Sequence, residues 1–160
     1  MQRIICIDGG GTWGALPARI LARLLEYRPD LLEKCTLLAG TSTGGLIALL
    51  LAADVQPGRV VDLFERHSSK IFASSWSRFV TTLGGFLGPQ YDVGPLRTLL
   101  EERFGSRVLG DLGKQVMIPS VRLDLATHEN GTHWQLWNFS NAPSDSQNRW
   151  VKCVDAALAT

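Results

Sequence analysis

The sequence predicts an α/β fold built on a mainly parallel sheet, and three observations carry that prediction. A short apolar run at residues 4–7 ends in Asp8 and three glycines. A helical pattern from Leu16 to Tyr27 follows it. A second apolar run at residues 37–39 then enters Gly40-Thr41-Ser42-Thr43-Gly44-Gly45 and continues as a long apolar stretch at residues 46–53. Strand, helix, strand, helix in this order implies a parallel βαβ unit. The first run is apolar at every position, which fits a strand covered on both faces. Both glycine-rich loops leave the carboxyl ends of their strands. They should therefore open on one sheet edge, where α/β folds place ligands.

The elements follow in order. The first helix begins near Ala15, with Pro17 tolerated in its first turn. Leu16, Ile20, Leu24 and Tyr27 fall on one face of it, and Arg19, Arg23 and Glu26 on another. Arg28-Pro29-Asp30 stops it. The helix after Ser42 is apolar almost all round and is predicted to be buried. Pro57 opens another helix, reaching to about Lys70. Phe72, Trp76, Phe79, Leu83 and Phe86 recur at helical spacing, but Gly84-Gly85 and Gly88-Pro89 interrupt them. Asp92 or Gly94 caps a helix carrying Pro95, Leu96, Leu99, Leu100 and Phe104, closed by Gly105. Val121, Leu123 and Leu125 alternate with polar residues, as in a strand. Asn130-Gly131 is a strong turn signal and residues 132–139 form the returning strand of a hairpin. Residues 141–149 are a polar loop, and a last helix starts near Val151, with Asp155 in its opening turn.

Composition narrows the function classes. The chain has 160 residues and a formal net charge of +1, which suits one domain with a real core. A nucleic-acid partner is not expected, because that role usually demands a basic face. Cys6, Cys35 and Cys153 lie far apart, with neither a C-x-x-C pair nor zinc spacing. Buried free thiols and a reducing compartment are the expectation. No signal-peptide pattern opens the chain, and its longest apolar run is far short of a bilayer span. The expectation is a cytoplasmic protein with no metal and no cofactor. Nothing in the residues specifies an oligomeric state.

The chemistry centres on Gly40-Thr41-Ser42-Thr43-Gly44, a G-x-S-x-G pattern in strand–turn–helix context. Ser42 is the candidate nucleophile, placed at the positive end of the following helix. The bland alternative is a small-residue turn before a buried helix. Gly9, Gly11 and Gly14 also satisfy G-x-G-x-x-G. A dinucleotide site would need an acidic residue at the end of the second strand, but Asp30 and Glu33 precede that strand. Acyl transfer explains both loops together. It needs donors aimed at a tetrahedral oxyanion, and successive glycines expose backbone N–H groups without side chains in the way. An ordinary α/β-hydrolase is disfavoured, because only one strand precedes Ser42. His67, His128 and His133 lie in polar or hairpin settings, where a surface role is the simpler reading.

Asp8-Gly9-Gly10-Gly11-Thr12-Trp13-Gly14, followed one βαβ step later by Gly40-Thr41-Ser42-Thr43-Gly44-Gly45, resembles the patatin-like phospholipases. The resemblance extends through residues 91–105 and to the ending Val154-Asp155-Ala156-Ala157-Leu158-Ala159-Thr160. It implies a three-layer α/β/α fold with a mainly parallel central sheet, and calcium-independent hydrolysis of lipid acyl esters by a Ser–Asp dyad. Ser42 matches the nucleophile. Gly9, Gly10, Gly11 and Thr12 match the oxyanion loop, and Gly14, Gly40 and Gly44 are motif glycines.

Two departures matter. Trp13 stands where the family usually has Arg or Lys. A basic side chain there could assist anion binding, and Trp cannot. The family's catalytic Asp lies in a D-G-G or D-G-A motif after the segment resembling residues 154–160. This chain has no D-G-A, and its one D-G-G belongs to the oxyanion loop. No catalytic Asp is therefore assigned, since nothing promotes Asp92, Asp124 or Asp155 to that role. The expectation is a single patatin-like domain over residues 1–160, truncated before its catalytic Asp and incomplete at its C-terminus. A non-catalytic remnant of the fold is one alternative. An ATP-binding domain of sugar-kinase type is another, since Asp-Gly-Gly-Gly-Thr also resembles a phosphate loop, although that loop sits in a hairpin. The lipid substrate raises peripheral membrane contact through residues 72–86, whose aromatic stripe would otherwise cover the core.

Overall fold

The computed structural model describes residues 3–72, 93–127 and 131–160. Among these residues four strands form one sheet in the order β1 (Arg3–Ile7), β2 (Cys35–Gly40), β3 (Gln115–Thr127) and β4 (Gly131–Ser140). β1 and β2 pair in parallel, β2 and β3 pair in parallel, and β3 and β4 form an antiparallel hairpin. A mostly parallel sheet with packed helices agrees with the three-layer α/β/α class that the sequence predicts.

Between β1 and β2 the chain makes a 3-10 turn (Gly11–Gly14), α1 (Ala15–Tyr27) and the single turn α2 (Asp30–Glu33). A helix after the glycine loop, in place of a continuing strand, removes the sugar-kinase alternative. β2 leads into α3 (Thr43–Ala52), every residue of which is buried. Ten buried positions without a polar face make α3 the centre of the core, packed on β1, β2 and β3. Each fully buried Leu or Ile there contributes about 1.5–3 kcal/mol relative to exposure. α4 (Pro57–Phe72) and α5 (Val93–Phe104) add Val60, Phe64, Leu100 and Phe104 to the same cluster. Gly105 ends α5 at φ 56°, its N–H donating to Glu101 O at 2.8 Å, as the Gly105 stop signal predicts. The last helix, α6 (Cys153–Leu158), buries Cys153, Val154, Ala156 and Ala157. Asp155 does lie in its first turn, 3.8 Å from Arg97.

The structure adds to some expectations and corrects others. The apolar face of α1 is not buried: Leu16, Ile20, Leu24 and Tyr27 are 56, 52, 48 and 73 % exposed. α1 instead buries Ala18 and Leu21. The reason is the position of β1 at the sheet edge. With no strand paired beyond it among the described residues, the α1 stripe and β1 border an open trough of about 450 Å³. The same edge leaves Cys6 exposed, whereas Cys35 and Cys153 are buried free thiols as expected. Burial pushes the Cys153 thiol up to about 11. β3 starts earlier than its alternation suggests. Its first residues, Gln115 to Met117, pair with Leu37 to Ala39 of β2. Pro119 is tolerated because that parallel pairing has already ended.

Residues 73–92 and 128–130 lie outside the described residues. Most of the proposed flap, including Trp76, Phe79, Leu83 and Phe86, falls there, as do Asp92 and His128. Among the described residues no helix is long and apolar enough to cross a membrane.

Asp30 serves the base of this unit. Arg28 Nε donates to its carboxylate at 3.0 Å, Lys34 Nζ at 3.0 Å and Arg3 Nη1 at 3.4 Å. The hydrogen bonds from Arg28 and then Lys34 hold its carboxyl well below the usual carboxylate range. A depressed folded value means the stabilisation is present at neutral pH. It is lost as pH falls below the unfolded carboxyl value of about 4. Thermal melts of wild type and Asp30→Asn should therefore differ at pH 7 and converge towards pH 2. Parallel curves across that range would contradict the assignment.

Candidate active site

The site begins with how closely two loops approach. β2 ends at Gly40, and the chain turns through Thr41 and Ser42 into α3. A Cβ on Gly40 would overlap the backbone of Gly44. A Cβ on Gly44 would overlap the Ile7 carbonyl and stand 2.7 Å from the Asp8 carbonyl oxygen. The first turn of α3 is thus laid directly on the end of β1, and only glycine fits there. Thr41 N–H donates to Ile7 O at 3.4 Å, joining the two strand ends.

Ser42 sits at the tip with φ 51° and ψ −127°. An L-residue held there costs on the order of 1–3 kcal/mol, and such strain persists only where the surroundings over-determine it. Gly44 N–H donates to Thr41 O at 2.9 Å and Leu46 N–H to Ser42 O at 3.1 Å, so the first hydrogen bonds of α3 close around the serine. The Ser42 residue is exposed. Among the described residues, no carboxylate or imidazole hydrogen-bonds to its hydroxyl.

The glycine loop lies against this tip. A Cβ on Gly9 would stand 2.8 Å from Thr41 O and 2.9 Å from Ser42 Cβ. Gly11 has φ 55° and heads the 3-10 turn that contains Thr12. The first N–H groups of such a turn lack partners inside it. Gly14 packs where a Cβ would meet Thr43 Cβ at 2.9 Å. The structure therefore brings Gly9, Gly10, Gly14, Gly40, Ser42 and Gly44 together where β1 and β2 end, with Gly11 next in the loop. Neither described histidine lies in these loops. His67 is in α4, and His133 is in β4 opposite Asp124.

Two residues escape a sequence reading. Thr43, 2 % exposed, accepts a hydrogen bond from Gly10 N–H at 3.1 Å through its hydroxyl. That donor of the glycine loop is thus already engaged. Thr160 Oγ1 accepts from Ser42 N–H at 2.9 Å. The Thr-Ser-Thr pattern marks the turn but says nothing of partners 33 and 118 residues away. Trp13 is 75 % exposed and borders the α1 trough with Gly9 and Gly10.

Comparison with known proteins agrees with this geometry. A family model described as patatin-like phospholipase matches residues 5–160. A cGAMP-activated phospholipase of Pseudomonas aeruginosa is 33% identical over 98% of this chain and 45% of its own length. Patatin-like protein 2 of Oryza sativa subsp. japonica is 34% identical over 75% of this chain and 34% of its own length. Patatin-T5 of Solanum tuberosum is 30% identical over 99% of this chain and 42% of its own length. The chain thus spans less than half the length of these relatives. With a parallel strand pair carrying a glycine loop on one end and a strained serine turn on the next, and with a family match over nearly all its residues, the chain belongs to the patatin-like phospholipase family.

Proposed function

We propose that Ser42 is the nucleophile of a lipid acyl hydrolase that works through a Ser–Asp dyad, with the Asp supplied by sequence that these 160 residues do not contain. The observation that carries this reading is the contact between the glycine loop and the strained serine turn, where a Cβ on Gly9 would stand 2.9 Å from Ser42 Cβ. With Ser42 as the nucleophile, that contact would set the backbone N–H groups of the loop beside the ester carbonyl under attack.

The steps follow from the parts. Ser42 Oγ attacks the ester carbonyl carbon, and its proton passes to the dyad carboxylate. The carbonyl oxygen becomes an oxyanion facing the loop of Gly9, Gly10, Gly11 and Thr12. Gly11 is the first donor in line, because Gly10 N–H is held by Thr43 in the resting site. Collapse expels the alcohol, which takes the proton, and leaves an acyl-serine. Water activated by the same carboxylate then releases the fatty acid. The N-terminus of α3 at Ser42 favours each negative intermediate. The family match and the relatives named phospholipase support lipid acyl esters as the substrate class. Without the carboxylate, Ser42 is a poor nucleophile at neutral pH, and the 160-residue chain is inactive or nearly so.

The test compares two proteins on phospholipid vesicles and fatty-acyl nitrophenyl esters. One is the 160-residue chain. The other runs on through its coding sequence to an Asp-Gly pair. Turnover that needs Ser42 is expected from the longer protein alone. Ser42-dependent turnover by the 160-residue chain would require another base. Its absence from the longer protein would refute the nucleophile.

A further inference from the structure

The Ser42 turn is strained, and its own backbone N–H lies outside the hydrogen-bonded ladder of α3. That N–H finds its acceptor on the far side of the chain. Thr160 follows the end of α6, and its Oγ1 accepts from Ser42 N–H at 2.9 Å. The same hydroxyl donates to the Pro119 carbonyl at 3.1 Å. Donating once and accepting once, it bridges the nucleophile turn and β3. The contact forms where the β2–β3 pairing has run out: the last paired residue of β3 is Met117, and Thr160 reaches the carbonyl two residues on.

Neighbouring contacts fix Thr160 on both sides. Its Cγ2 lies 3.1 Å from where a Gly45 Cβ would stand, so α3 leaves room for this methyl and little more. The Ser120 hydroxyl donates to Ala159 O, tying the end of α6 to β3 one residue earlier. Thr160 therefore joins three elements at one point beside Ser42.

From these contacts we infer that Thr160 is a positioning residue. Its hydroxyl holds the Ser42 backbone in the left-handed turn that presents Oγ to substrate, and relays that restraint to β3. This rests on the reading of Ser42 as nucleophile. Thr160 touches neither substrate nor the reacting atoms, so its effect passes through the Ser42 conformation.

Thr160→Val keeps the shape and removes both hydrogen bonds, whereas Thr160→Ser keeps both and removes the methyl. Two readouts separate the outcomes. Amide hydrogen exchange of Ser42, followed by NMR in the 160-residue chain, is expected to quicken about tenfold in the Val variant and to stay near wild type in the Ser variant. In the longer protein, kcat on a fatty-acyl nitrophenyl ester is expected to fall about tenfold for Val at unchanged KM, and to recover for Ser. If Val does not fold, Thr160→Ala replaces it in both comparisons. Unchanged Ser42 exchange in the variant lacking the hydroxyl overturns the clamp. Faster exchange with unchanged kcat overturns the positioning role and leaves a structural bond. Absence of Ser42-dependent turnover in wild type defeats the proposed function, and the positioning role with it. The exchange data then show only whether the hydrogen bond exists.

Discussion

Replacing Ser42 with Ala is expected to reduce ester turnover by the longer protein by a factor on the order of 10⁴ or more, to the level left by binding and the oxyanion donors. The fold should survive. Ala keeps the backbone N–H that donates to Thr160 and the Cβ that faces Gly9, and loses only Oγ. Thermal melting within a few degrees of wild type, with turnover lost, is the expected pair of results. Retained turnover would remove Ser42 from the chemistry. A further substitution tests the strain. Ser42→Gly relieves a φ of 51° that an L-residue adopts only at a cost. It should melt above Ser42→Ala while being equally inactive. A lower melting temperature for the Gly variant would mean that the turn stores no strain.

Gly44→Ala is expected to have the largest effect on stability of any single methyl addition in the site. The new Cβ would overlap the Ile7 carbonyl and crowd that of Asp8. Both are backbone atoms at the end of β1 and cannot swing aside as a side chain can. α3 would have to lift off β1, taking with it the most buried helix of the core. A loss of at least about 3 kcal/mol is expected, at the upper end for overpacking. Urea denaturation followed by circular dichroism measures it. By contrast, Gly58→Ala adds a methyl into open space in α4. It should be neutral or stabilising, which controls for the general cost of replacing glycine. Equal behaviour of the two variants would refute the close approach of α3 to β1.

Much of this arrangement was legible in advance, and the reasons are local. Residues 4–7 and 37–39 are continuous apolar runs that stop at glycines, so strand ends and loop positions are written in adjacent residues. The 46–53 stretch has no polar face, and burial of α3 follows directly. Glycine at 9, 40 and 44 marks close approach before any partner is known, because no other residue lacks a Cβ. Asn130-Gly131 likewise announced the return of β4, which starts at Gly131.

What escaped depends on partners distant in sequence. β3 opens as a parallel partner of β2 and continues as an antiparallel partner of β4, and Pro119 in its middle argues against a strand until the end of the β2 pairing is known. Leu16, Ile20 and Leu24 are correctly placed on one face of α1. Whether that face is covered depends on what lies beyond β1, and periodicity carries no information about that. Asp30 has the charge a ribose ligand would need, yet its neighbours Arg28, Lys34 and Arg3 make it a counter-ion.

The chain's local chemistry therefore specified the βαβ unit, the two glycine loops and the serine between them, because apolar periodicity and missing Cβ atoms act over a few residues. Folding in three dimensions chose which hydroxyls serve the site. Thr43 and Thr160 look like any other threonines in the sequence. They acquire their partners, Gly10 N–H and Ser42 N–H, only when α3 lies on β1 and α6 ends against β3. A hydroxyl's role is set by the donor it meets, and that meeting is a consequence of packing.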